Sequence, residues 1–165
     1  QDEGKMKVPV SIITDFDNRP DEFGVFKSLL RENQTFKNKF CNINALKRGL
    51  KSTDVKLNIA REWTLEWCLY KSCLTNIFKE AVLQVHSKTE DFKKEDGDFK
   101  VSFEGKFIKK LSKGDGTSPI DKVAVMNVFA ELLEKDTIVT AEQITEDNYL
   151  SYLVTAVKHV HDYEN

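Results

Sequence analysis

Asp15, Asp17, Glu66 and Lys122 are the residues whose types and spacing could do chemistry in this chain. Asp15 and Asp17 close the run Val8-Pro9-Val10-Ser11-Ile12-Ile13-Thr14, with Phe16 between them. That spacing lets both acids point one way while Phe16 anchors inward. Two carboxylates so placed offer hard oxygen donors to a divalent cation such as Mg2+. A polar turn after a strand has the same composition, so the pair needs further residues to count as a site. Glu66 lies in Trp63-Thr64-Leu65-Glu66-Trp67, just after a second strand-like segment. The helix dipole favours an anion in any first turn, but beside an acid pair Glu66 becomes a candidate third carboxylate. Lys122 falls in the first turns of a later helix, where the dipole disfavours a cation. A residue that breaks a local rule is a pointer to function. A lysine near metals can neutralise a phosphate or a developing oxyanion.

The elements that must position these groups alternate in type. The β-branched run over 8–14 reads as a buried strand, and in open α/β sheets ligands bind at its C-terminal edge. Asn18-Arg19-Pro20-Asp21 is turn chemistry that starts a helix capped by Asn18 or Asp21, with Phe23, Phe26, Leu29 and Leu30 at helical spacing. Residues 36–52 are basic and weakly periodic, a mixture of helix and loop. Residues 54–60 alternate apolar with polar, the signature of a strand with one wetter face. From 64 to about 86 the pattern is helical: Leu65, Leu69, Cys73, Ile77 and Ala81 form one row, with Leu74, Phe78 and Val82 beside it.

Residues 90–98 are strongly charged and read as a solvated loop or lid. Phe99-Lys100-Val101-Ser102-Phe103 suggests a short strand, with Phe107-Ile108 as its continuation or a helix turn. A glycine-rich loop follows, ending in Ser118 as N-cap and Pro119 as the first helical position of a helix to about Lys135. Val123, Met126, Val128, Phe129 and Leu132 should face mostly inward. A last helix over 145–161 carries the stripe Tyr149, Leu150, Leu153, Val154, Val157 and Val160. Strand, helix, strand, helix and more helix make an α/β layered architecture. Two or three strands are few for a central sheet, so the sheet is expected to be completed elsewhere.

Composition bounds the rest. A chain of 165 residues with a formal net charge of −2 is expected to form one domain. At this length it can bury roughly 70% of its unfolded surface. Charged residues make up 32% with both signs interleaved, which excludes a polybasic tail or an acidic disordered one. No membrane span or signal peptide is evident. Cys41, Cys68 and Cys73 are an odd, unclustered set and suit reduced thiols in a cytoplasmic protein. His86, His159 and His161 are incidental, and no His–Cys spacing suggests zinc. The loop Gly114-Asp115-Gly116-Thr117 lacks the Gly-Lys-Ser/Thr ending of a P-loop. No Gly-x-Ser-x-Gly or Cys–His arrangement supports nucleophilic catalysis. Trp63 and Trp67, four apart, read as packing.

These pieces, in this order, resemble the TOPRIM nuclease region of OLD-family (overcoming lysogenization defect) ATP-dependent endonucleases. Ile12-Ile13-Thr14-Asp15-Phe16-Asp17-Asn18-Arg19-Pro20 is similar to the family's strand ending in Asp-x-Asp. Trp63-Thr64-Leu65-Glu66-Trp67-Cys68-Leu69 resembles its Thr-Leu/Phe-Glu helix start. Asp121-Lys122-Val123-Ala124-Val125-Met126-Asn127-Val128-Phe129-Ala130 resembles its lysine-bearing helix. The segment 148–157 fits its last helix. The resemblance implies a TOPRIM-like (Rossmann-like) layered sheet with helices, extended by a C-terminal helical segment, over 1–165. It implies that Asp15, Asp17 and Glu66 bind Mg2+ or Mn2+ at a two-metal site and that Lys122 stabilises charge at the scissile phosphate. The reaction would be phosphodiester hydrolysis in DNA, in a cytoplasmic protein of antiviral defence, with DNA as partner and a homodimer compatible with it. The family also needs a glutamate ending an earlier strand, and only residues 1–7 precede, with Glu3 too close to serve. No ATPase motif is present. The chain is therefore expected to be the C-terminal portion of an enzyme whose upstream portion or ATPase domain is a partner, and to cleave weakly or not at all alone.

Two other classes remain open. Strand–Asp15-Phe16-Asp17 also resembles the first motif of haloacid-dehalogenase-like phosphatases, with Asp15 as nucleophile and Asp17 as general acid. That family expects Thr or Val where Arg19 stands, and a later acidic pair on a strand end. The third class is a non-catalytic interaction domain whose helices bind a partner.

Overall fold

The computed structural model describes residues 8–16, 54–86, 99–111 and 119–162. Asp17, Glu3, Cys41, the helix expected after Asn18, the basic segment 36–52 and the loops over 90–98 and 112–118 lie outside the described residues.

The described residues form a mixed α/β structure with a small parallel sheet and six helices. Strand β1, Val10–Thr14, pairs in parallel with β2, Val55–Ile59, in the register Val10↔Val55 to Thr14↔Ile59. The ladder begins at Val10 N–H to Asp54 C=O, 2.7 Å, and continues past the strands at Ala60 N–H to Thr14 C=O, 2.9 Å. Parallel pairing brings both strand ends to the same edge. The described residues that follow β1 and β2 therefore meet there.

β1 is less buried than its aliphatic sequence suggests. Val10, Ile12 and Ile13 are 42%, 40% and 49% exposed, which corrects the expectation of a buried strand. The main core of the described residues lies among the helices and takes in no β1 side chain. In β2 the polar member Asn58 is buried while Lys56 is exposed, so its alternation does not divide cleanly into wet and dry faces.

The helical stretch after β2 is broken into two. Helix α1, Leu65–Lys71, starts at the N-cap Thr64, whose hydroxyl accepts from Trp67 N–H at 3.3 Å. It stops at Ser72, whose hydroxyl donates back to the Leu69 carbonyl at 2.9 Å. Such local hydroxyl bonding competes with the helical ladder. Helix α2, Thr75–Val85, then follows and buries Phe78, Ala81 and Val82. Helix α3, Phe99–Leu111, replaces the expected strand. Phe103, Phe107 and Leu111 are four apart, and all are buried on one face.

Helix α4, Lys122–Lys135, begins at Asp121, not at Ser118-Pro119 as expected: the Asp121 carboxylate accepts from Ala124 N–H at 3.0 Å. Of its expected inward set, Phe129 is buried but Val123 is 72% exposed. The last helix is also two. Helix α5, Ala141–Glu146, carries a reciprocal Thr140–Gln143 capping box, and helix α6, Ser151–His161, follows a turn held by Asp147. The buried residues of α6 are Tyr152 and Ala156, whereas Val157 and Val160 are 66% and 43% exposed. Of the expected stripe, Leu150 is buried and Tyr149 and Leu153 pack against the core, while its C-terminal members Val157 and Val160 face water and Tyr152 and Ala156 take the inner positions.

Helix α6 packs on both strands. The Ser11 hydroxyl donates to the Ala156 carbonyl at 2.8 Å, and the His159 ring meets the Asp54 carbonyl at 3.2 Å. The main core joins α1, α2, α3 and α4 around Trp67, Phe78, Phe107 and Phe129. Phe78 meets both Phe107 and Phe129 edge-on, at 5.6 and 5.8 Å between ring centroids. A second cluster of Ala60, Cys68 and Tyr152 ties the end of β2 and the start of α1 to α6.

Candidate functional site

Three of the four chemistry-bearing residues of the sequence converge at the C-terminal edge of the sheet. Asp15 leaves β1 there, and its Oδ1 accepts from Leu65 N–H at 3.0 Å. The bond ties the end of one strand to the helix that follows the other, 50 residues later. An anion at a helix start satisfies an orphan donor and meets the positive end of the dipole. The next residue, Glu66, stands in the first turn of α1, and Lys122 is the first residue of α4. Lys122 Nζ lies 2.9 Å from Glu66 Oε1.

The pair is asymmetric in its exposure to water. The Glu66 side chain is 10% exposed and that of Lys122 45%. Glu66 Oε2 is buried with no hydrogen-bond partner. A buried carboxylate oxygen left unpaired is costly, and such an atom in a folded protein calls for a ligand, water or ion. The contact also explains why Lys122 tolerates a helix N-terminus: the neighbouring carboxylate outweighs the dipole at this distance.

Beneath the acids lie Cys68 and Tyr152. Burial first of all pushes the Cys68 thiol up from its ordinary 9.0, and the Asp15 charge adds to it. The thiol is thus held protonated at neutral pH, a poor ligand for a soft metal. Burial likewise raises the Tyr152 phenol, with Cys68, Asp15 and Glu66 bearing on it. The sequence reading passed over Tyr152 because its helix was phased on Leu153 and Val157. Its four-residue spacing from Ala156 was the available signal.

Other acids and rings serve the fold. Glu62 accepts from Trp67 Nε1 at 2.8 Å and from the Tyr149 hydroxyl at 3.3 Å. Trp63 and Trp67 are packed, 5.9 Å apart, as expected. Cys68 and Cys73 are free thiols. Among the described residues no three His, Cys, Asp or Glu side chains gather as a metal site. The hard oxygen donors of this edge are the carboxylates of Asp15 and Glu66, and the second Glu66 oxygen is closed to solvent. Among the described residues no helix is long and apolar enough to cross a membrane. No family model, curated protein or solved structure matches the chain.

Proposed function

We propose that the chain is a TOPRIM-type domain of an OLD-like nuclease that hydrolyses phosphodiester bonds in DNA with divalent cations. The observation that carries this reading is the meeting of Asp15, Glu66 and Lys122, from three distant segments, at one edge of a parallel sheet. Asp15 and Glu66, joined by Asp17, would hold Mg2+ or Mn2+ through carboxylate oxygens. The cation would activate water and stabilise the leaving oxygen. The Leu65 amide supports this by fixing the Asp15 carboxylate at the edge. Lys122 pairs with the buried Glu66 carboxylate and has a half-exposed ammonium to meet the charge of a phosphate. The upstream portion or ATPase domain of the enzyme is the proposed protein partner.

The test is a titration of the chain with Mn2+, read by calorimetry, followed by plasmid nicking in the enzyme of which it is a part. Asp15→Asn and Glu66→Gln should each weaken Mn2+ binding at least about tenfold and abolish nicking. Absence of any Mn2+ binding by the wild-type chain, or nicking that survives both substitutions, overturns the reading. Covalent phosphate labelling of Asp15 by a phosphomonoester would favour the phosphatase class in its place.

A further inference from the structure

The polar side of β2 lies under α6, the reverse of the usual order. Ser11 stands opposite Lys56 in the parallel register, and its hydroxyl donates to the Ala156 carbonyl of α6. Side chains paired in register share a face, so Lys56 and Asn58 face the helix while Val55, Leu57 and Ile59 face away. A helix on a sheet ordinarily covers the apolar set, and a residue that breaks a local rule points to function. Where α6 crosses the start of β2 there is a concavity of about 270 Å3, lined by Lys56, Thr155, Lys158, His159 and Asp162. Its four helical members, at 155, 158, 159 and 162, form one stripe of α6. Two of them are held by backbone. The Asp54 carbonyl can only accept, so His159 Nε2 donates to it at 3.2 Å, and the Thr155 hydroxyl donates to the Ser151 carbonyl at 2.7 Å. The two ammonium groups remain for a ligand, and among the described residues neither makes an ion pair. The opposing carboxylate, Asp162, has the His161 ring at 3.3 Å.

We propose that this concavity is a phosphate-binding site, with Lys56 and Lys158 donating to one phosphate group. Cavities for drug-sized ligands run roughly 300–1,000 Å3, so the space suits a small group and not a whole nucleotide. Two flexible ammonium groups can meet a dianion without the planar fit that arginine imposes. Inorganic phosphate and the DNA backbone offer the same group, and that DNA supplies it rests on the nuclease reading above. The concavity lies towards the opposite end of β2 from the acid edge. Roughly 10 Å of strand separates Lys56 from that edge, about three nucleotides along one DNA strand.

Calorimetric titration of the chain with inorganic phosphate should saturate at one site. Lys56→Gln and Lys158→Gln should each weaken binding about tenfold. Both side chains are exposed, so both variants should fold. Lys135→Gln removes the same charge from the exposed end of α4 and should change phosphate affinity little. A second arm measures a short DNA duplex over a range of salt. If DNA supplies the phosphate, each of the two variants should weaken it and lower the salt slope by about one. Lost phosphate affinity with unchanged DNA binding upholds the site and assigns it to the free anion. No saturable phosphate binding by the wild type, or equal weakening by Lys135→Gln, overturns the proposal. Mn2+ affinity should be the same in all three variants, so the failure of either reading leaves the other standing.

Discussion

At the scale of single residues, the Lys122–Glu66 contact governs the candidate site. A carboxylate that is nine-tenths buried depends on its countercharge, whereas a lysine nearly half in water depends little on the carboxylate. Lys122→Ala should therefore destabilise the chain by about 1–2 kcal/mol at neutral pH, below the cost of breaking a fully buried pair. Adding Glu66→Gln should recover most of that loss, because no uncompensated charge would remain. A double-mutant cycle from urea unfolding measures this, and additive losses would show that the two side chains are uncoupled. Lys122 was legible in the sequence because it contradicts the helix dipole. Its partner could be named only as a candidate, since nothing in one dimension says that residues 66 and 122 touch.

Asp147 stands out between residue and element. Its Oδ2 accepts from Cys73 N–H at 2.7 Å, and its Oδ1 from Tyr149 N–H at 2.7 Å. One side chain thus fastens the α1–α2 break to the α5–α6 turn. Both breaks fall inside stretches whose apolar spacing reads as continuous helix. Periodicity reports which side of a segment is apolar; it does not register Ser72 and Asp147 taking backbone partners away from the ladder. Asp147→Ala should cost about 2–3 kcal/mol, from two partly buried amides losing a charged acceptor. The same substitution should speed hydrogen exchange at Cys73 and Tyr149 well before global unfolding. Uniform protection across both turns in the variant would contradict the fastening role. Helix α3 failed in the sequence for a related reason: Phe-Lys-Val-Ser-Phe satisfies a period of two and a spacing of four alike. Extending the window to Phe107 and Leu111 separates them.

Across the whole molecule, the burial of neutral acids ties stability to pH. Tyr70, held up first by burial and then by Glu104, and Tyr152, held up first by burial, both lie above their ordinary 10.0, and Cys68 above its 9.0. A raised acid keeps its proton in the folded state and releases it on unfolding, so the unfolded state binds fewer protons once the pH passes the ordinary value. The slope of stability with pH is then negative. Their contribution is complete below about pH 9 and is lost progressively as the pH rises towards the folded values. Urea midpoints measured from neutral pH upward should be flat at first and then fall. Phe107 touches both Trp67 and Tyr70, at 6.4 and 5.2 Å between centroids. Its truncation to alanine, at about 3–5 kcal/mol, should lower every midpoint equally without changing where the fall begins.

The same distribution of burial sets the sheet apart from the core. Ile13 is 49% exposed, while Phe78 and Val125 are at most 1% exposed among the helices. The apolar run that reads most strongly in the sequence is therefore not where most of the stability resides. β-branching reports strand preference, but burial depends on what packs against the strand, which among the described residues is β2 and α6. Ile13→Thr keeps the branching and should cost less than about 1 kcal/mol, whereas Phe78→Ala should cost about 3–5 kcal/mol. Thermal unfolding of the two variants checks the contrast. Comparable losses would mean that Ile13 is buried in solution by something other than β2 and α6, and that the acids at the end of β1 stand on a more deeply seated strand.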